Sequence, residues 1–104
     1  MALVTEVYKL TSQYPKEEMY GLVSQSRRCS VSIPSNIAEG RRRGGKKDYR
    51  QFLIVAFSSG AELETQLQIA KNLDYVNTAS CQKVDGLLDE VMKILNTMVN
   101  NMAA

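Results

Sequence analysis

The chain of 104 residues contains no histidine. That excludes Ser-His-Asp and Cys-His catalysis, His-ligated zinc and the Glu-x-x-His di-iron bundle together. Tryptophan is also absent, and five Tyr with two Phe are few for a sugar-binding surface. Cys29 and Cys81 form no C-x-x-C pair and cannot build a four-cysteine zinc site, so neither metal nor cofactor is expected. Two prolines and six glycines exclude collagen-like and Pro-rich classes. The longest apolar run, Phe52 to Phe57, is too short to span a membrane. Met1 to Glu6 places an acid where a signal peptide needs a basic flank, so a cytoplasmic location is expected. What remains is 44% hydrophobic and 23% charged, the balance of one globular domain over residues 1–104.

The net charge of +2 conceals an asymmetry. Residues 27–50 carry eight of the thirteen bases: Arg27, Arg28, Arg41, Arg42, Arg43, Lys46, Lys47 and Arg50. Against two acids there, Glu39 and Asp48, the block is +6, and the rest of the chain, five bases against nine acids, is −4. A basic block in an otherwise acidic chain concentrates positive potential and steers anions.

Apolar residues recur at helical spacing nearly throughout. Leu3, Val4, Val7, Tyr8, Leu10 and Tyr14 suggest a short first helix, and Pro15-Lys16-Glu17-Glu18 reads as a break and a new start. Met19, Leu22, Val23, Ser26, Cys29, Ile33 and Ile37 form a second stripe, which Gly40 to Gly45 ends. A third runs from Tyr49 to Leu73, and after Asp74 to Thr78 a fourth runs from Val84 to Met102. Four helices with short connections predict an all-α, antiparallel up-and-down bundle.

Pro34 falls inside the second helix, where it removes the amide bond to Ser30 and should kink the helix rather than break it. Small residues surround it: Ser24, Ser26, Ser30, Ser32 and Ser35. They allow close helix approach, and their hydroxyls can serve freed backbone groups. In the third helix Ile54 and Val55 fall outside the main stripe, so that segment is apolar nearly all round. One side would face the core and the other a subunit interface.

From Tyr14-Pro15-Lys16-Glu17-Glu18-Met19-Tyr20-Gly21-Leu22 through Val31-Ser32-Ile33-Pro34-Ser35-Asn36-Ile37-Ala38-Glu39-Gly40, and on through Phe52-Leu53, Glu62-Leu63-Glu64 and Ile69-Ala70, the chain resembles one family. It is the bacterial four-helix bundle, or 23S rRNA intervening-sequence, protein family. The resemblance implies a left-handed four-helix bundle assembled as a homopentameric barrel. It also implies kinship with accessory proteins of diversity-generating retroelements, basic pentamers that bind nucleic acid and a reverse transcriptase. Three departures stand out: the first helix is short for the family, Ser58 and Gly60 replace the common glycine and leucine, and Asp74 replaces the glycine of a Leu-Gly-Tyr turn.

Candidate sites have competing plain readings. Gly40-Arg-Arg-Arg-Gly44-Gly45-Lys46-Lys47 misses the phosphate loop G-x-x-x-x-G-K-[ST], since Lys47 stands where a hydroxyl is needed and a helix precedes it. It is a solvated basic loop or a polyanion contact. Lys46 and Lys47 open a helix, where the dipole disfavours cations, so fold stability alone would not select them. Ser35, Asn36 and Glu39 lack an activating base and read as buried polar glue around Pro34. Glu62 is expected at a subunit boundary and Glu64 in solvent. Arg27 and Arg28 either pair with such acids or extend the basic surface. Cys29 and the methionines Met92, Met98 and Met102 read as core, Cys81 as an exposed residue at the start of the last helix. Only Tyr49 is placed to stack on a base.

The sequence thus predicts a non-enzymatic homo-oligomer that binds RNA or DNA through its basic face, with Ile54, Val55 and Glu62 at the subunit interface. The alternatives are a protein-interaction scaffold, such as a reverse transcriptase accessory subunit, and a structural oligomer without a ligand.

Overall fold

The computed structural model describes residues 1–102. It contains four helices: α1 (Ala2–Thr11), α2 (Ser24–Arg43), α3 (Lys46–Asn72) and α4 (Thr78–Asn101), with no strand among the described residues. They run up and down as a rod of 44 × 23 × 19 Å. Each helix buries the stripe its spacing prescribes. For α3 this is Leu53, Ala56, Gly60, Leu63, Leu67 and Ala70, and for α4 it is Cys81, Val84, Leu88 and Leu95. Fully buried leucines such as Leu53, Leu63, Leu67 and Leu95 each contribute roughly 1.5–3 kcal/mol of transfer free energy.

The connections follow from local chemistry. Gly44 takes the left-handed conformation, φ 77°, that ends α2, and Gly45 starts α3 from extended backbone. Asn77 caps α4 by accepting the Ser80 amide at 2.7 Å. The second stripe becomes an α-helix later than its spacing suggests. Lys16–Glu18 form a single 3₁₀ turn and Met19–Val23 a π-helical turn, because Gly21 sits at a non-helical φ −111°, ψ −107°. Glu18 holds this junction by accepting the Leu22 amide at 3.2 Å.

α2 passes through Pro34 as one helix. Ser26 and Ser30 are fully buried, and the Ser30 hydroxyl donates to the Arg27 carbonyl at 2.8 Å. Asn36 donates to the Ser32 carbonyl and hydroxyl, and Ser32 meets Ser59 of α3 at 2.9 Å. α2 and α3 approach closely at Gly40, where a Cβ would lie 2.8 Å from that of Phe52. Ser35 is not part of this buried network. It lies on the exposed face, because seven residues place it almost directly in line with exposed Arg28. Cys81, expected at the surface, is fully buried, because α4 begins at Thr78 and its spacing from Val84 and Leu88 puts Cys81 on the same core-facing stripe. Burial holds its thiol, and that of Cys29, above the ordinary 9.0. Met92, Met98 and Met102 pack partly buried against the core, with the Met92 sulfur filling the space over Gly60.

Candidate functional site

The up-and-down topology brings the end of α2, the start of α3 and the end of α4 to one pole. Arg41, Arg42 and Arg43 form the last turn of α2, and Lys46 and Lys47 the first of α3. All five are exposed. Arg41, Gly44, Gly45 and Lys46 line a shallow recess of about 310 Å³, and Lys46, Lys47 and Arg50 line a second of about 400 Å³, with Met102 shared by both.

The block divides by partner. Arg43 is held by Glu39, one turn back, at 3.0 Å and lies 5.3 Å from the Phe52 ring. Arg41 leans toward the Tyr49 hydroxyl at 3.4 Å. Arg50 donates from Nε to the Val99 carbonyl at 3.1 Å. That carbonyl belongs to the last turn of α4, so Arg50 ties the start of α3 to the end of α4 and serves as a side-chain cap there. Sequence reasoning missed this role, because its partner is 49 residues away and carries no signal. Arg42, Lys46 and Lys47 have no hydrogen-bond or ion-pair partner among the described residues.

Arg27 and Arg28 lie elsewhere. Fourteen residues separate Arg28 from Arg42, a rise of ~21 Å along α2. Arg27 pairs with neither Glu62 nor Glu64. Its Nε donates to Thr11 Oγ1 at 2.9 Å, Nη2 reaches the Tyr8 carbonyl at 3.3 Å, and the guanidinium sits 4.6 Å over the Tyr8 ring, clamping α2 to α1. Arg28 is exposed. Glu62, on the exposed side of α3, accepts from the Cys29 thiol at 3.6 Å, and Glu64 is exposed. Ile54 is half-buried and Val55 is 47% exposed. Tyr49 is not the free stacking ring its place in the basic block suggested. It is half-buried, packed against Gly40 where the two helices meet.

No group of three or more Cys, Asp or Glu among the described residues could hold a metal, and none of these helices is long and apolar enough to cross a membrane. The geometry defines a class: a four-helix bundle with one cationic pole. The chain belongs to the 23S rRNA-intervening sequence protein family, whose model matches residues 1–97. Its fold is similar to the crystal structure of a protein of unknown function from the S23 ribosomal protein family of Bacteroides thetaiotaomicron. That likeness has a TM-score of 0.79 at 20% identity, covering 92% of this chain and 87% of that one. No curated relative matches the chain.

Proposed function

We propose that this chain is a non-enzymatic homo-oligomer that binds RNA or DNA through its basic pole with low sequence specificity. One observation carries the reading. Outside residues 27–50 every lysine but Lys16 is ion-paired: Lys9 and Lys83 with Glu6, Lys71 with Asp85, Lys93 with Asp89. Within the block only Arg43 meets a carboxylate. Charge is neutralised where it serves the fold and left open at the pole. Lys46 and Lys47 keep positive charge at the positive end of the α3 dipole, at a cost of up to ~1 kcal/mol each. Lysine and arginine side chains without a base-reading framework contact phosphates, which sets position and not sequence.

The test is fluorescence anisotropy with unrelated RNA and DNA oligomers. If Arg42, Lys46 and Lys47 of one subunit each neutralise a phosphate of a duplex, affinity falls roughly 40-fold between 50 and 200 mM salt. Six or more contacts across subunits raise that to about a thousandfold or beyond. Changing the three residues to Ser weakens all sequences alike. Absence of binding at 50 mM salt would sink the reading and bring the protein-scaffold alternative forward.

The assembly, which the family resemblance suggests is a pentamer, is supported by Val55 and Ile54 lying together on the side of α3 away from the core. Light scattering should then give a multiple of 11.6 kDa that falls on Val55→Asp. A monomer mass for the unaltered chain would remove the assembly and leave the nucleic-acid reading standing.

A further inference from the structure

The second cluster of this molecule's chemistry lies four turns up α2. A surface cleft of about 350 Å³ is lined there by Tyr8, Met19, Tyr20, Arg27 and Arg28, together with Val23 and Ser24. Its wall contains no carboxylate. Tyr20, on the π-helical turn, is 96% exposed, an unusual state for a large aromatic side chain that nothing in the fold requires. Opposite it the Arg27 guanidinium is fixed over the Tyr8 ring by Thr11 and the Tyr8 carbonyl, so that side is preorganised. The preceding acid, Glu18, is turned away onto Tyr75 and the Leu22 amide.

The cleft is aligned with the basic pole. Fourteen residues are almost four full turns, so Arg28 and Arg42 share the outward face of α2. Between them that face presents Val31, Ser35 and Ala38, all exposed and small enough to leave the path open. The acid beside this path, Glu39, is neutralised by Arg43. The path is ~21 Å long by helix rise, about six steps of a stacked strand at 3.4 Å per step.

We propose that this cleft stacks a base of single-stranded nucleic acid whose backbone runs along α2 from the basic pole. Tyr20 offers the open ring face, Arg28 meets the adjoining phosphate, and the Arg27–Tyr8 pair forms the rigid back wall. Stacking on an exposed aromatic is tolerant of sequence and requires an unpaired base, so the cleft adds a preference for single strands over duplex. This inference rests on the nucleic-acid reading of the pole.

Anisotropy at one fixed salt concentration tests it, with a labelled single-stranded twelve-mer and a blunt duplex of the same length. Tyr20→Ala should weaken the single strand at least ~5-fold and leave the duplex unchanged, since no charge is lost. Tyr20→Phe should restore single-strand binding. Because Tyr20 is exposed, circular dichroism of the variant should match the parent. Equal single-strand affinity for parent and Tyr20→Ala, or equal losses for single strand and duplex, would overturn the stacking site while the pole reading stands. No binding of either oligomer by the parent would overturn both.

Discussion

The two poles of the bundle are built on opposite terms. Where α1 meets α2 and α3 meets α4, the chain is tied tightly. Tyr75 donates to Glu18 at 2.7 Å, Glu18 also accepts the Leu22 amide, and the Tyr14 and Tyr75 rings lie 5.8 Å apart. At the other pole a two-glycine turn carries five exposed cations, and the start of α3 has no side-chain cap. The first pole spends its polar groups on holding the fold. The second keeps them exposed and accepts like-charge repulsion and an unfavourable dipole contact. Charges placed where they do not serve the fold are the feature behind the proposed ligand surface.

The largest expected effect breaks the tight pole. Tyr14 is buried, and Tyr14→Ala should cost about 3 kcal/mol in denaturant unfolding. Its hydroxyl has no hydrogen-bond partner among the described residues, so Tyr14→Phe should be neutral or stabilising. A large loss in both variants would mean that the hydroxyl, not the ring, matters.

The same pole predicts how stability varies with pH. Burial, with the nearby Cys81, pushes the Tyr14 hydroxyl up to about 12 from the ordinary 10.0. A raised acid stabilises fully below its unfolded value, so this contribution is lost as pH climbs from 10 toward 12. The Tyr75 and Leu22 hydrogen bonds hold the Glu18 carboxyl below the ordinary 4.5. That contribution is present above 4.5 and fades as pH falls through and below it. Melting curves of Tyr75→Phe should therefore lose less on acidification than those of the parent, and parallel losses would refute the assignment.

At the basic pole, Arg50→Ala should cost about 1.5 kcal/mol, since it leaves the Val99 carbonyl without its charged donor. This separates Arg50 from its neighbours, because Arg42→Ser should leave unfolding within ~0.5 kcal/mol of the parent. Reversing the dipole conflict with Lys46→Asp and Lys47→Glu should raise stability by about 1 kcal/mol while abolishing nucleic-acid binding. Lower stability in that double variant would show that the lysines serve the fold.

The smallest effect sharpens the tight pole. Asp74 holds a positive φ of 59°, the conformation glycine adopts without strain. Asp74→Gly should stabilise by ~0.5 kcal/mol, and a destabilised variant would point to an unrecognised role for the carboxylate.

Helix periodicity made most of the fold legible, because the last three stripes are long, with Gly44 and Gly45 between α2 and α3 and Asn77 at the start of α4 where backbone geometry needs them. The junction before α2 was not legible. Gly21 reads as an ordinary helical position until its φ and ψ are known. Cys81 was misread as a helix-start residue although it stands three residues before Val84, on the face that α4 buries. At the candidate site the charges could be read in the sequence and their partners could not. Arg43 finds Glu39 at helical spacing, which a sequence shows, but Arg50 finds a carbonyl on another helix. Tyr49 stands among the bases in sequence yet packs inward, while Tyr8 and Tyr20, outside the block, are the aromatics that remain accessible.

The shortness of α1 has a dynamic consequence. Its ten residues reach ~15 Å, against ~36 Å for the twenty-four of α4. Its contacts, Glu6 with Lys83 and Tyr8 with Arg27, fall on the halves of α4 and α2 near the tight pole. Farther along, α4 leaves Ile94 53% exposed. The molecule is four helices thick at one end and three at the other, so opening should be graded along its length. Amide hydrogens of Gly60 to Leu67 should exchange only through global unfolding. Those of Lys46 to Arg50 and Met98 to Asn101 should exchange through local fraying, and a bound strand would slow them first.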